Sequence, residues 1–410
     1  MHMADALISP AVGLAMGAVS AVAIGVSVTK INRGELPEKK IPIMGVAGAL
    51  VFAAQMINFT IPATGSSGHI GGGAMLAGML GGFPAFLSIT AVLIIQCLFF
   101  ADGGLLALGC NIFNLGVIPC LLIYPLVFKP ILDGGRRDKN GSEYKRLSVA
   151  SVISAVLGLQ LGAFCVVTQT YLSGITALPF GTFAALMLPI HLAIGLVEGV
   201  VTAAVLCFVY KMRPDIIVRR EPETDTQTYS YALPVQTADA FLKSEADTQT
   251  RSDAIPEQIN GASTQIAGVY AKPDAFSKPG AFLIHAKAPS RPNVFLIVLT
   301  AITIITGGVL SLFASTHPDG LEWSVEKTTA LVAGVPQTEL EAEGGIYDGA
   351  ADIQKAAAFL PDYAFADDPE NAVGTTVSGI LGVVITFTLA GAAGLLITMI
   401  KRQKKVKRNA

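Results

Sequence analysis

The second residue of the chain is a histidine, and this position offers three nitrogens in a row to a metal ion. They are the α-amine of Met1, the amide of His2 once it is deprotonated, and the imidazole Nδ1 of His2. Binding by all three closes two chelate rings in one plane and leaves the fourth corner of a square open. A square of four nitrogens favours Ni(II) or Cu(II) among the divalent metals.

The fourth nitrogen is predicted to come from His69. It lies in the stretch N-F-T-I-P-A-T-G-S-S-G-H-I-G-G-G, residues 58–73, whose small residues let one backbone approach another closely. Each histidine also has a plainer interpretation, because His2 alone is typical of a solvated terminus and His69 alone of a hydrogen-bonded loop residue. Taken together, and in a chain of this composition, the residues predict a metal site formed by Met1, His2 and His69.

A metal-binding imidazole is usually oriented by a partner of its second ring nitrogen. For His69 we expect that partner to be Asp5 or the hydroxyls of Ser66 and Ser67, with Asn58 as a further polar side chain in the same loop. A bulky second residue usually blocks removal of the initiator methionine, so Met1 is expected to keep its amine.

Two ionisable residues, His191 and Glu198, fall seven positions apart in one apolar segment and hence on about the same face of a helix. Ionisable groups at membrane depth are costly and suggest a function by default. The favoured interpretation of this pair is nevertheless a structural hydrogen-bond network. The five cysteines lie in apolar segments without zinc-site spacing and are predicted to be small core residues.

The composition indicates an all-α, multi-pass membrane protein, because 52% of the 410 residues are hydrophobic, only 14% are charged and the mean hydropathy is +0.59. A seven-helix bundle is predicted for the first half if the short segment 71–82 also crosses the membrane. A two-helix membrane module is predicted near the C-terminus. The predicted spans are 10–31, 41–57, 83–100, 105–128, 147–172, 183–210, 293–315 and 374–400.

The distribution of basic residues predicts the orientation. Lys and Arg concentrate in the segments 30–40, 129–146 and 401–410, whereas the loops 59–69, 101–104 and 173–182 contain none. We therefore expect the N-terminus, His2 and His69 outside and the C-terminus in the cytoplasm, which requires seven passes in the first half. The first 25 residues lack the basic start of a signal peptide and are expected to remain on the mature chain.

The same reasoning divides the chain into four parts. Residues 1–211 are predicted to be a metal-binding membrane domain, 212–292 a polar cytoplasmic linker, 293–400 a two-span module with an outer acidic segment at 316–373, and 401–410 a basic cytoplasmic tail. The acidic segment could attract cations, although a solvated acidic loop explains most of its residues equally well. The chain has no phosphate-binding loop and no H-E-x-x-H or G-x-S-x-G motif, so neither an enzyme nor a cofactor is expected.

Several motifs resemble the CbiM/NikM family of substrate-specific S components of energy-coupling factor (ECF) transporters for cobalt and nickel. They are the start Met1 to Asp5, G-S-S-G-H at 65–69, A-D-G-G at 101–104, A-L-G-C-N-I-F-N at 107–114 and H-L-A-I-G-L-V-E at 191–198. The sequence P-D-G-L-E-W-S at 318–324 resembles the small-subunit family CbiN/NikN, here fused to the same chain. Family members often begin M-H-I-P-[DE]-G, whereas this chain has Met3, Ala4 and Ala6, which bears on fine selectivity.

The resemblance implies that Met1, His2 and His69 hold the transported Ni²⁺ or Co²⁺, which is the set that the chelate argument selects independently. Nickel is favoured on geometry, with cobalt close behind; cobalt uptake would serve cobalamin biosynthesis. The implied partners are a transmembrane coupling (T) protein of the CbiQ/NikQ type, an ABC ATPase of the CbiO/NikO type and membrane lipid, but no nucleic acid, in the inner (plasma) membrane of a bacterium or archaeon. A secondary metal transporter, or a metal-sensing membrane protein without ATPase partners, remains the alternative.

Overall fold

The fold is known from a computed structural model that describes residues 2–33, 40–134, 142–217, 294–334, 344–365, 367–368 and 371–409. The predicted amine ligand Met1 and all but the first residues of the predicted linker 212–292 lie outside these ranges. The helices are α1 (Pro10–Arg33), α2 (Ile41–Gln55), α3 (Gly73–Leu80), α4 (Gly82–Phe100), α5 (Leu108–Asp133), α6 (Ser142–Ser173), α7 (Phe180–Met212), α8 (Val294–Gly308), α9 (Gly320–Ala333), α10 (Ile346–Ala357) and α11 (Ala372–Asn409).

Six of the described helices, α1, α4, α5, α6, α7 and α11, are long and apolar enough to cross a membrane. Two more apolar helices, α2 and α8, have 15 residues each, which is about 22 Å at 1.5 Å per residue. Large apolar side chains such as Leu14, Val22 and Val26 point outward from α1, as lipid-facing residues do. The mostly helical architecture agrees with the sequence-based prediction of a helical membrane bundle.

The predicted short segment 71–82 is divided between two helices. Helix α3 has eight residues and is buried throughout, and Gly81, whose φ is 88°, separates it from α4. Eight residues extend only about 12 Å, so α3 alone does not cross a hydrocarbon layer. Lys40 Nζ donates to Leu80 O at 3.4 Å, which places the end of α3 beside the start of α2. The count of seven passes remains a prediction, and this contact favours it.

Helix α5 widens into a π-helix over Phe113–Phe128, which contains Pro119 and Pro125. Proline has no N–H to donate, and a wider helix accommodates the missing bonds. The widened helix packs closely against the start of α3, because a Cβ on Gly73 would lie within 3 Å of Pro119 Cγ and Leu115 O. The start of α3 is thereby fixed immediately below the loop that carries His69.

The C-terminal helices pack against the N-terminal bundle. A Cβ on Gly45 of α2 would lie 2.9 Å from Phe387 O of α11, and a Cβ on Gly382 of α11 would overlap the Phe52 ring of α2. Small residues at such positions let membrane helices approach closely. The segments that follow α8 and α9 are consequently held near the loops between the N-terminal helices.

Candidate metal centre

The chain around His2 is fixed by its neighbour, Met3, which is fully buried. Asn111 of α5 accepts a hydrogen bond from Met3 N at 2.8 Å and donates one to Met3 O at 3.2 Å. Met3 O also accepts from Gly104 N at 2.8 Å. Asn111 is buried inside an apolar bundle, so its amide is satisfied by this backbone. Residue 3, at which the chain departs from the common family start, therefore anchors the predicted chelating terminus.

The loop that carries His69 is a short hairpin between α2 and α3. Strand β1 (Phe59–Ile61) pairs antiparallel with strand β2 (Ser66–Gly68), so that Phe59 lies opposite Gly68. The turn between them includes Gly65 with φ of 75°, a left-handed conformation that glycine adopts without strain. His69 follows directly after β2, and the hairpin thus sets the position at which its side chain leaves the backbone.

The two histidines predicted to share a metal ion lie together. Their ring centroids are 5.0 Å apart and their planes differ by only 8°. The exposed fractions of the His2 and His69 side chains are 6% and 8%. Burial lowers the pKa of His69 to about 3, so its ring is neutral at physiological pH. A neutral imidazole is the form that binds a metal ion.

The tautomer of His69 follows from its nearest acceptor. Nδ1 lies 3.2 Å from Ile70 O, and since a carbonyl only accepts, Nδ1 carries the proton and Nε2 carries the lone pair. Three candidates from the sequence are engaged elsewhere: the Ser66 and Ser67 hydroxyls donate to backbone carbonyls, and Asp5 Oδ1 accepts from Ala107 N. The fourth, Asn58, has a buried side-chain Oδ1 without a hydrogen-bond partner among the described residues. A backbone carbonyl therefore faces the nitrogen for which a side-chain partner was expected.

His2 is held by a carboxylate that has a second partner. His2 Nδ1 lies 3.0 Å from Asp102 Oδ1, and the Tyr363 hydroxyl donates to Asp102 Oδ2 at 2.5 Å. Burial alone would raise the pKa of Asp102, but His2 and Tyr363 outweigh burial and lower it below its usual range. Nδ1, the nitrogen that the predicted chelate uses, thus faces a carboxylate here, whereas His2 Nε2 is buried without a partner in the described part of the chain.

A cavity of about 390 Å³ opens beside His2, which forms part of its wall. Its described lining residues include no Lys or Arg. Because low-dielectric walls focus the field of like charges, such a cavity concentrates cations. Its wall carries five carboxyl side chains: Asp5, Asp102, Asp319, Glu322 and Asp362.

The C-terminal module supplies a carboxylate on the other side of His69. Asp319 Oδ2 lies 3.8 Å from His69 Nε2. Burial opposes ionisation of Asp319, but the attraction of nearby positive charge outweighs burial and, with a smaller contribution from the backbone N–H of Glu322, holds the pKa of Asp319 below its usual range. From the sequence, Asp319 is predicted only as part of a generally acidic segment and a family motif, and Asp102 only as part of the A-D-G-G motif. Tyr363 is not predicted at all, since no local pattern distinguishes that residue.

Glu198 supports the His69 loop from within the bundle. Its carboxylate accepts from Gly71 N at 2.7 Å and from Gly72 N at 3.0 Å, and Gln55 Nε2 donates to Gly71 O at 2.9 Å. Both glycine N–H groups belong to the first turn before α3, where a negative charge is favourable. His191 Nδ1 instead donates to Met187 O at 2.8 Å. Each of the paired residues predicted on α7 therefore binds backbone, and Glu198 fixes the turn two residues beyond His69.

A membrane bundle with two buried histidines at one end, beside a cavity of carboxylates, is suited to binding a metal cation. Residues 2–216, more than half of the chain, match the model of the CbiM family, the cobalt uptake substrate-specific transmembrane region. Residues 293–399 match the PDGLE domain. The chain belongs to the CbiM family and carries a fused PDGLE domain.

Individual relatives agree with this assignment. A protein of Haloquadratum walsbyi assigned by name to metal transport is 35% identical over 53% of this chain and 93% of its own length. A protein of Archaeoglobus fulgidus named as a fused nickel transport protein, NikMN, is 32% identical over 54% of this chain and 69% of its own. A solved structure titled as a truncated transition metal transporter is 28% identical over 52% of this chain and 99% of its own, with a TM-score of 0.44. The family match, together with the apolar helices, makes the chain a multi-pass membrane protein of the cobalt and nickel transport family.

Proposed function

We propose that the chain captures Ni²⁺, or Co²⁺ as a close second, with four nitrogens: the Met1 amine, the His2 amide, His2 Nδ1 and His69 Nε2. The observation that carries the proposal is the arrangement of the two rings, 5.0 Å apart and inclined by 8°. Metal–nitrogen bonds of about 2.0–2.1 Å hold two imidazoles on adjacent corners of a square with centroids about 4.5 Å apart. Rings that lie in the plane of that square are also parallel to each other, and the two rings here are parallel and stacked.

The chelate requires one local change at His2. Half a turn of the ring about its Cβ–Cγ bond exchanges Nδ1 with Cδ2 and Nε2 with Cε1, which turns Nδ1 away from Asp102 and brings Nε2 closer to it. Asp102, which keeps its bond with Tyr363, is then placed to accept from Nε2–H after a small shift of the ring. A carboxylate in this position fixes the tautomer and raises the basicity of the metal-binding nitrogen. Asp102 is thus proposed to position His2 rather than to bind the ion.

The proposed mechanism is that of an ECF importer. The site faces outside together with the N-terminus, and the C-terminus is cytoplasmic. Since the sequence contains no phosphate-binding loop, the energy for inward release is proposed to come from a coupling protein with ABC ATPases. The nickel name of the Archaeoglobus relative supports nickel, and the family description supports cobalt. Co-purification with a coupling protein and ATPases separates this mechanism from a secondary transporter or a sensor, which needs neither.

The test of the site is metal binding by the purified chain, its His69→Ala variant and a variant with one residue added before Met1. The extension removes the amine chelate without altering a side chain. We expect both changes to abolish Ni²⁺ and Co²⁺ binding and the intact chain to show the absorption band of planar nickel. His317→Ala is the matched control, since its side chain is exposed next to the same hairpin. Normal nickel binding by the extended chain would refute the proposed ligand set.

A further inference from the structure

The carboxylate of Asp319 is held rigidly at the start of α9. Its Oδ1 accepts from Leu321 N at 2.8 Å and from Glu322 N at 2.9 Å, while Glu322 Oε2 accepts from Asp319 N at 3.0 Å. This reciprocal pair is a capping box. The residue before it, Pro318, accepts through its carbonyl from Ser67 N at 2.8 Å. Asp319 is therefore fixed both to its own helix and to the hairpin that carries His69.

The second oxygen of Asp319 has the spacing of a metal ligand relative to His69. Oδ2 lies 3.8 Å from Nε2, which is longer than the roughly 3.2 Å limit of a good N–H···O hydrogen bond. Two ligand atoms each about 2.0–2.2 Å from one ion are separated by about 2.9 Å at a right angle and by about 4.2 Å in line. Because Nδ1 faces Ile70 O, the lone pair of His69 points from Nε2, the nitrogen nearer to Asp319.

Three other carboxylates of the cavity wall contact groups other than His69. Asp102 uses one oxygen for His2 and the other for Tyr363, Asp5 Oδ1 accepts from Ala107 N, and Glu322 Oε2 caps α9. Asp319 is the carboxylate found within reach of a proposed ligand atom of His69. The same cavity also contains the buried His2, whose Nε2 has no partner in the described ranges.

We infer that Asp319 is the capture ligand of the site: it takes a partly hydrated divalent cation from the cavity and shares it with His69 Nε2 before the nitrogen set closes. In this step two cation–water bonds break and two bonds form, one to Asp319 Oδ2 and one to His69 Nε2, with no change of oxidation state. Oxygen ligands bind nickel and cobalt less strongly than imidazole and amide nitrogens, so the ion passes on to the nitrogens. The inference rests on the proposed function and gives the PDGLE domain a direct part in loading the ion.

The test compares Asp319→Asn with Glu322→Gln in the purified full-length chain. Asparagine caps a helix as well as aspartate does, and glutamine can replace glutamate in a capping box. Both variants remove one negative charge from the same cavity, but only the first removes the carboxylate that faces His69. Asp319→Ser, which also retains the cap, serves as a second variant if the first folds poorly.

The measurement is the rate of nickel binding by stopped-flow absorption, together with the spectrum at equilibrium. We expect Asp319→Asn to bind Ni²⁺ on the order of tenfold more slowly than Glu322→Gln and to reach the same planar-nickel spectrum as the unaltered chain. Equal rates in the two variants would overturn the inference, as would a changed final spectrum, which would make Asp319 a permanent ligand. His69→Ala tests the proposed function separately, because undiminished binding there removes the nitrogen site whatever Asp319 does.

Discussion

Removal of the Tyr363 hydroxyl tests whether the C-terminal module controls the metal affinity of His2. The hydroxyl donates to Asp102 at 2.5 Å, and Asp102 in turn lies 3.0 Å from His2. Burial raises the pKa of Tyr363 well above its usual value, so the hydroxyl donates at any working pH. Tyr363→Phe therefore leaves Asp102 with one partner fewer and the His2 ring less firmly held.

The magnitude follows from the kind of bond that is lost. A hydrogen bond to a charged group contributes about 1.5–3 kcal/mol, and Asp102 is only 23% exposed, so solvent replaces the bond incompletely. The Tyr363–Asp102 bond is present both with and without the ion, so most of its free energy cancels in the binding equilibrium. Only the share that orients the His2 ring contributes to the affinity for Ni²⁺. We therefore expect about a tenfold weaker affinity for Ni²⁺, at the lower end of the roughly 10–100-fold losses seen when partners of metal-binding groups are removed.

The assay is a competition titration of Ni²⁺ against a chelator of known affinity. Tyr347→Phe is the matched control, because Tyr347 belongs to the same cavity wall but donates to Ile8 O at 3.0 Å instead of to Asp102. Both variants lose one hydroxyl from the C-terminal module. If Tyr363→Phe binds Ni²⁺ as tightly as Tyr347→Phe does, the chain of contacts from Tyr363 to His2 does not act on the metal.

Three further predictions concern the His69 loop. Burial lowers the pKa of His69 from 6.5 to about 3, so between these pH values the unfolded chain binds more protons than the folded chain. Thermal stability should therefore fall as the pH is lowered from 6.5 toward 3, and it should fall less in His69→Phe. Equal pH dependence of Tm in the two chains would contradict this. Glu198→Gln should destabilise the chain by about 1.5–3 kcal/mol in thermal unfolding, since it removes the charge that accepts from two backbone N–H groups, and an unchanged Tm would refute that role. Gly72→Ala should lower the Tm more than Gly65→Ala does. Both glycines have positive φ, but only a Cβ at Gly72 would clash with Val51, at 2.5 Å. Equal losses of Tm would contradict this, because they would mean that the backbone at Gly72 shifts to relieve the clash.

The membrane helices could be predicted from the sequence because length and hydropathy are local properties. The predicted spans 10–31 and 83–100, for example, correspond to Pro10–Arg33 and Gly82–Phe100. The segment 71–82 was harder, since α3 is buried by neighbours from distant parts of the chain and its length alone does not show where it ends.

The nearness of His2 and His69 was also predicted, because the chemistry of the N-terminus demands a fourth nitrogen and a histidine in a glycine-rich loop can supply it. The groups around them could not be predicted in the same way. Asp102 meets Tyr363 across 261 positions of sequence, and Asp319 meets His69 across the join between the two matched domains. Contacts of this kind depend on how helices pack, which residue types and spacing do not encode locally.

The bonds from Ser67 to His317 and Pro318 join the His69 hairpin to a segment that the family resemblance assigns to a separate small subunit. Because both segments belong to one chain, each metal site has one PDGLE domain. The effective concentration of that domain at the site depends on the connecting residues and not on how much of a second protein the cell makes. Effective concentrations of tethered modules commonly reach the millimolar range. Dilution therefore leaves the metal site and the PDGLE domain associated, and one gene product contains both in a ratio that the level of expression does not alter.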